Sequence, residues 1–110
     1  MVLTENLKLV ALGNPLLDMQ VRDGQEVLQK YSLKSNDAVL ASPEQLSIYG
    51  HLVENYQVTY VAGGAAQNTA RCAQYVLPQD STAYLGCVGN DDLAQQLRAA
   101  NEREGVQSVY

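Results

Sequence analysis

Two kinds of hydrophobic pattern alternate along the chain. Leu7 to Leu12 is short and apolar apart from Lys8, and Gly13-Asn14-Pro15 bounds it. That pattern predicts a strand buried on both faces of a parallel sheet. Leu17 to Arg22 differs: Leu17, Met19 and Val21 fall on one face, and Asp18, Gln20 and Arg22 on the other. Period two predicts a half-buried strand with a polar face. Gln57 to Ala62 alternates less cleanly, and the two alternating segments are expected to pair as a small sheet apart from the buried one. Ser81 to Val88 returns to the continuous apolar type, and Val106 to Tyr110 starts one more strand.

Helical periodicity fills the intervals. Gln25 to Tyr31 is short and weakly patterned. Ser42-Pro43-Glu44-Gln45 predicts a helix start, with Ser42 as N-cap, Pro43 at the first position and Gln45 completing a capping box. Leu46, Tyr49, Leu52 or Val53, and Tyr56 are expected to share its inward face. Ala65 to Leu77 predicts a longer helix. Its face of Ala66, Ala70, Ala73 and Leu77 suits close packing on a sheet, and Gln67, Arg71 and Gln74 are expected opposite. Asp91 and Asp92 open a last helix at its positive end. Leu93, Leu97 and Ala100 are expected to face inward, and Gly105 closes it.

Strands alternating with helices predict an α/β fold with a mostly parallel sheet. A length of 110 residues fits one domain or a piece of a larger one. Net charge is −5, which argues against nucleic acid and anionic membrane partners. No apolar run has membrane length. Met1 to Asn6 lacks the basic start and apolar core of a signal peptide. Cys72 and Cys87 have no metal or redox spacing, and are expected to be reduced, cytoplasmic and buried.

The joint at Val61-Ala62-Gly63-Gly64-Ala65-Ala66-Gln67-Asn68 carries the densest signal. Glycines there permit backbone angles that a Cβ forbids and let a ligand approach the main chain. The helix behind them starts with free N–H groups, and Asn68 sits in its first turn. A tight strand-to-helix turn without a ligand is the plainer alternative. Asp18 can face the same space if the two alternating strands pair. From the residues alone, a solvated strand carboxylate is its simpler reading. The chain holds no Gly-x4-Gly-Lys-Ser/Thr phosphate loop, and Gly86-x-x-Gly89 lacks the third glycine of a dinucleotide fingerprint.

Four segments in order carry a resemblance: Gly13-Asn14-Pro15-Leu16-Leu17-Asp18, Lys30-Tyr31-Ser32-Leu33-Lys34-x-Asn36-Asp37, Ala62-Gly63-Gly64-Ala65-Ala66-Gln67-Asn68, and Gly86-Cys87-Val88-Gly89-x-Asp91. From about Leu7 to Tyr110 the chain resembles the ribokinase (carbohydrate kinase) family and, within it, the adenosine kinase branch. Ala94 stands where the family signature often has Gly. Ala38 stands where some members have a Gln that approaches the base.

The resemblance implies a ribokinase-like three-layer fold with a small β lid, from strands near 17–22 and 57–62. Residues 1–110 would be the N-terminal part of one such domain, since members run to about three times this length. By the resemblance, the ATP-binding half, with its anion hole and catalytic Asp, would lie C-terminal to these four motifs. The implied activity is phosphorylation of adenosine to AMP with ATP and Mg²⁺ by the complete enzyme, a cytoplasmic monomer. This chain would hold only the nucleoside-binding half and would be inactive alone. Alternatives are another sugar or nucleoside kinase of the family, or a non-catalytic nucleoside-binding fragment. By the same resemblance, Asp18 and Asn68 would bind the ribose hydroxyls. Gly63 and Gly64 would bring main chain close to the ribose, and Asn14 would hold the ribose or the turn above the first strand. Leu16, Leu40 and Ala65 would line the apolar walls. No catalytic residue and no metal ligand is expected within the chain.

Overall fold

A computed structural model describes Glu5 to Tyr110. Met1 to Thr4, part of the start read above for a signal peptide, lie outside the described residues. The elements are β1 (Leu9–Leu12), β2 (Leu16–Gln20), α1 (Gln25–Lys30), α2 (Ile48–Asn55), β3 (Thr59–Gly63), α3 (Ala65–Val76), β4 (Thr82–Leu85), α4 (Asp92–Arg103) and β5 (Gln107–Val109). A 3-10 turn at Pro43–Gln45 precedes α2. The chain divides into two compact units: Met1–Asp18 with Tyr60–Tyr110, and Met19–Thr59.

In the first unit β1, β4 and β5 form a parallel sheet in the order β1-β4-β5, with Leu9 opposite Thr82 and Tyr84 opposite Ser108. α3 packs on β1 and β4, and α4 packs on β5. Both crossovers advance in the same direction across the sheet, which puts both helices on one face. That face holds Leu9, Ala11, Tyr84 and Val106 against Ala66 and Ala70 of α3. Leu97 and Ala100 of α4 pack with Ala62 and Tyr110. Small residues let the helices lie close. A Cβ on Gly13 would stand 2.8 Å from the Ala66 methyl. β2 and β3 form a two-stranded sheet of their own, as their alternation predicts.

β1 departs from its expected burial. Its exposure alternates, with Val10 at 55% and Leu12 at 77%. The helices cover the Leu9 and Ala11 side only, so the strand's continuous apolar run is buried on one face and open on the other. β4 is buried from Thr82 to Tyr84, as expected of a central strand.

The second unit has a core of Val27, Tyr31 and Leu52, with Met19, Val21, Leu33, Ile48, Tyr56 and Val58 around it. The Ser42 N–H donates to Gln45 Oε1 at 2.9 Å, the predicted capping contact, and Gln45 Nε2 donates to the Tyr31 carbonyl at 2.8 Å. The capped segment is a single 3-10 turn, however, and α2 starts afresh at Ile48. That break resets the helical phase. Leu52, one of the two alternatives, and Tyr56 point inward as expected and are joined by Ile48, while Leu46 and Tyr49, which the continuous pattern placed inside, are exposed, as is Val53.

In α3 the phase also differs from the sequence reading. Gln67, Ala70 and Gln74 are its buried residues, so the two glutamines expected on the outer face point inward. The physical reason is that each amide is fully paired. Gln74 Oε1 accepts from the Ser81 and Thr82 N–H groups and the Thr82 hydroxyl at 3.1, 3.0 and 2.9 Å, and Nε2 donates to the Pro78 carbonyl at 2.9 Å. Pairing removes the cost of burying a polar group. This inward phase turns Cys72 out, and Cys87 follows β4 in an open connection, so both thiols are exposed rather than buried. In α4, Ala94, Leu97, Ala100 and Asn101 are inside, while Leu93 is exposed. Asp91 caps that helix by accepting the Ala94 N–H at 2.8 Å.

Candidate functional site

The site is built on the step from β3 into α3. Gly64 is the residue before the helix and has φ +87° and ψ 149°, a region open in practice to glycine alone. A Cβ there would also stand 2.7 Å from the Asn14 carbonyl oxygen. Two independent constraints thus require glycine, and they bring the Gly13-Asn14-Pro15 turn against the helix start. No side chain caps α3, so its first N–H groups and the positive end of its dipole stay open.

Gly63 is buried, and the space beside its α-carbon is taken by a carboxylate. A Cβ on Gly63 would lie 2.6 Å from Asp18 Oδ2 and 2.8 Å from Oδ1. Asp18 is exposed and makes no hydrogen bond among the described residues, so both oxygens are free to accept. The pairing of β2 with β3 therefore does what the sequence left conditional: it sets Asp18 against the glycine turn.

Asn68 lies in the first turn of α3 and is exposed. Its Oδ1 accepts from Arg71 Nη1 at 3.1 Å, which leaves the two Nδ2–H donors for solvent or a ligand. Arg71 is itself held. Nη1 donates to the Ala62 carbonyl at 2.8 Å, and Nε and Nη2 make a bidentate pair with Glu104 at 2.8 Å each. The Glu104 carboxylate raises the Arg71 pKa above its ordinary value. The arrangement offers an acceptor pair, an amide donor and a helix N-terminus around the partly buried Gly63-Gly64 main chain. That set can bind a vicinal diol, because a carboxylate presents two acceptors at a matching spread.

Of the sequence-predicted residues, Asn14, Leu16, Asp18, Gly63, Gly64, Ala65 and Asn68 all lie in the first unit around this turn. Leu40 lies in the second unit, in the connection before the 3-10 turn, and is 98% exposed. A cavity of about 780 Å³ in the second unit, lined among others by Lys30, Tyr31, Glu44 and His51, includes none of these residues.

Sequence reasoning missed Gln67 and Arg71, which it assigned to a polar outer face. Gln67 Nε2 donates to the Gly63 carbonyl at 2.6 Å and the Leu16 carbonyl at 3.3 Å. Its Oε1 accepts from Tyr110 Oη at 2.5 Å and Asn101 Nδ2 at 2.9 Å. The spacing Gln67, Ala70, Gln74 is itself an inward helical stripe, but polarity concealed it. Among the described residues no group of three or more His, Cys, Asp or Glu is placed to hold a metal ion.

A parallel βα sheet with a two-stranded sheet set apart, and the glycine turn lying where the two meet in the chain, define an α/β protein of ribokinase-like fold. The model of the pfkB family of carbohydrate kinases matches residues 26–110, and the chain belongs to that family. It is 61% identical to the adenosine kinase of Schizophyllum commune over 103 residues, 94% of this chain and 30% of that protein. It is similar to the adenosine kinase structure from Trypanosoma brucei brucei, with a TM-score of 0.82 and 32% identity, over 96% of this chain and 33% of that one. The adenosine kinase from Schistosoma mansoni in complex with adenosine and AMP matches with a TM-score of 0.73 and 29% identity, over 97% of this chain and 32% of that one. The chain thus spans about a third of the length of the relatives it matches.

Proposed function

We propose that this chain is the nucleoside-binding part of an adenosine kinase, an enzyme that makes AMP from adenosine and ATP. The observation that carries the reading is the Asp18 carboxylate set against Gly63 at the open N-terminus of α3. Asp18 accepts from the ribose 2′- and 3′-hydroxyls, Asn68 donates to the same sugar, and Gly63, Gly64 and Asn14 bring main chain close to it. Leu16 and Ala65 supply apolar contact. The β2–β3 pair acts as a lid that excludes water, which matters because bound water competes as a phosphoryl acceptor. Residues 1–110 as the N-terminal part of one ribokinase-like domain, a monomeric full-length enzyme and a cytosolic location belong to the same reading, and two unpaired thiols suit such a compartment.

Mg²⁺ and ATP supply and neutralise the transferred phosphoryl group in this chemistry. The residues of this chain bind and orient the acceptor; they abstract no proton. By this reading the 110-residue chain alone forms no AMP.

The test uses the full-length protein with adenosine and 2′-deoxyadenosine. A hydrogen bond to a charged group is worth roughly 1.5–3 kcal/mol. Losing two in Asp18→Ala should raise the KM for adenosine by a factor on the order of a hundred. The preference for adenosine over 2′-deoxyadenosine should shrink with it. Asp18→Asn should cost less, because it keeps one acceptor oxygen. An unchanged preference, with only thermal stability reduced, overturns the ribose assignment.

A further inference from the structure

Gln67 is 1% exposed and uses all four of its amide hydrogen-bonding positions. Its two donors go to carbonyls on different strands, Leu16 of β2 and Gly63 of β3. Its acceptor is gripped from behind by Tyr110 Oη and Asn101 Nδ2, and Asn101 Nδ2 also donates to Tyr110 Oη at 2.6 Å. Asn101 is fully buried. This closed triangle fixes the polarity of the amide, since Oε1 must face two donors and Nε2 must face two carbonyls. A flipped amide fails both ends, and a carboxylate fails the end that faces the two carbonyls.

We propose that Gln67 is a positioning residue for sugar recognition. It sets the separation of the Leu16 and Gly63 main chains, and thereby holds Asp18 at the glycine turn. The inference rests on the ribose reading of that turn. Gln67 does not touch the substrate; it acts through the two strands that carry the contacts. A side chain whose function was only to fill the core would not require a donor pair split between the two strands that present Asp18 and Gly63. Leu or Met would fill the same volume without needing four partners in place.

The test is Gln67→Met in the full-length protein, which keeps length and volume and removes both donors. The KM for adenosine should rise about tenfold, the adenosine to 2′-deoxyadenosine preference should fall by a similar factor, and the KM for ATP should stay the same. Hydrogen exchange should quicken in the peptide over residues 61–66. A folded Gln67→Met with an unchanged KM for adenosine and an unchanged preference overturns the proposal. Should Gln67→Met not fold, Tyr110→Phe removes one donor to Oε1 at constant shape. About a threefold change in the same two quantities supports the proposal, and none overturns it. Wild-type protein that phosphorylates no nucleoside defeats the adenosine reading instead. Exchange at 61–66 then still decides whether the clamp exists: faster exchange in the variant supports it, and equal exchange overturns it.

Discussion

The two units solve the problem of a stable interior in different ways. Residues 19–59 bury large side chains: Val27, Tyr31 and Leu52, with Met19, Ile48 and Tyr56 against them. The unit that carries the glycine turn buries Tyr84, Leu97 and Val106 among small residues, Ala62, Ala70, Ala83 and Ala100, and completes its interior with amides, Gln67, Gln74 and Asn101, whereas residues 19–59 bury none. Apolar burial is strong but has no direction, so it fixes a volume rather than a coordinate. Hydrogen bonds are worth less each, yet they fix positions and carry a large cost when broken in the interior. The contrast teaches that the region with the candidate site is built for placement, and the other for bulk cohesion. Close helix-on-sheet packing through alanines and glycines is what lets short amide side chains span from one element to the next.

The largest effect expected is on cohesion. Leu52→Ala removes a buried side chain from the core of residues 19–59, which buries no amide, and should cost about 3 kcal/mol of stability. It should leave the adenosine to 2′-deoxyadenosine preference of the folded enzyme unmoved. Urea unfolding together with nucleoside kinetics reads both, and a shifted preference would break the division between cohesion and placement.

Gly64→Ala comes next. Its backbone at φ +87° and the Asn14 carbonyl 2.7 Å from the added Cβ should cost at least about 2 kcal/mol. Unlike Leu52→Ala, it should also raise the KM for adenosine, since the strain falls on the turn itself. A stability loss with no change in KM would place the turn outside the site.

The smallest effect is a pH dependence confined to the amide-built unit. Burial pushes Tyr110 up to about 12 from its ordinary 10. The neutral phenol is therefore favoured by folding, and the stability it adds is complete below pH 10 and lost as pH rises through about 12. Burial raises Tyr84 in the same direction, and that hydroxyl donates to the Gly13 carbonyl at 2.6 Å. Unfolding monitored across this alkaline range should fall less steeply in Tyr110→Phe than in the wild type. Identical slopes would show that the phenol contributes nothing to the triangle.

Local chemistry made much of this legible from the chain alone. The alternating segments are the paired β2 and β3, and the apolar run from Ser81 contains the buried central strand β4. The Gly63-Gly64 joint ends β3 and caps α3. These outcomes follow from periodicity and from backbone sterics, which act over a few residues and can be read in order. Asp91 as the cap of α4 is of the same kind.

Other features depend on partners remote in sequence, and tertiary structure decided them. The inward turn of Gln67 needs Leu16, Asn101 and Tyr110 as partners. No local pattern announces that a polar side chain will find four bonds. Val10 and Leu12 are exposed because both helices cover the opposite face of the sheet, a matter of crossover direction rather than composition. The break before Ile48 set which apolar residues of α2 face inward. The sequence determined that a glycine turn and a carboxylate strand exist; the pairing of β2 with β3 put Asp18 beside Gly63, because the register between distant strands depends on the whole packed surface and not on either strand's residues.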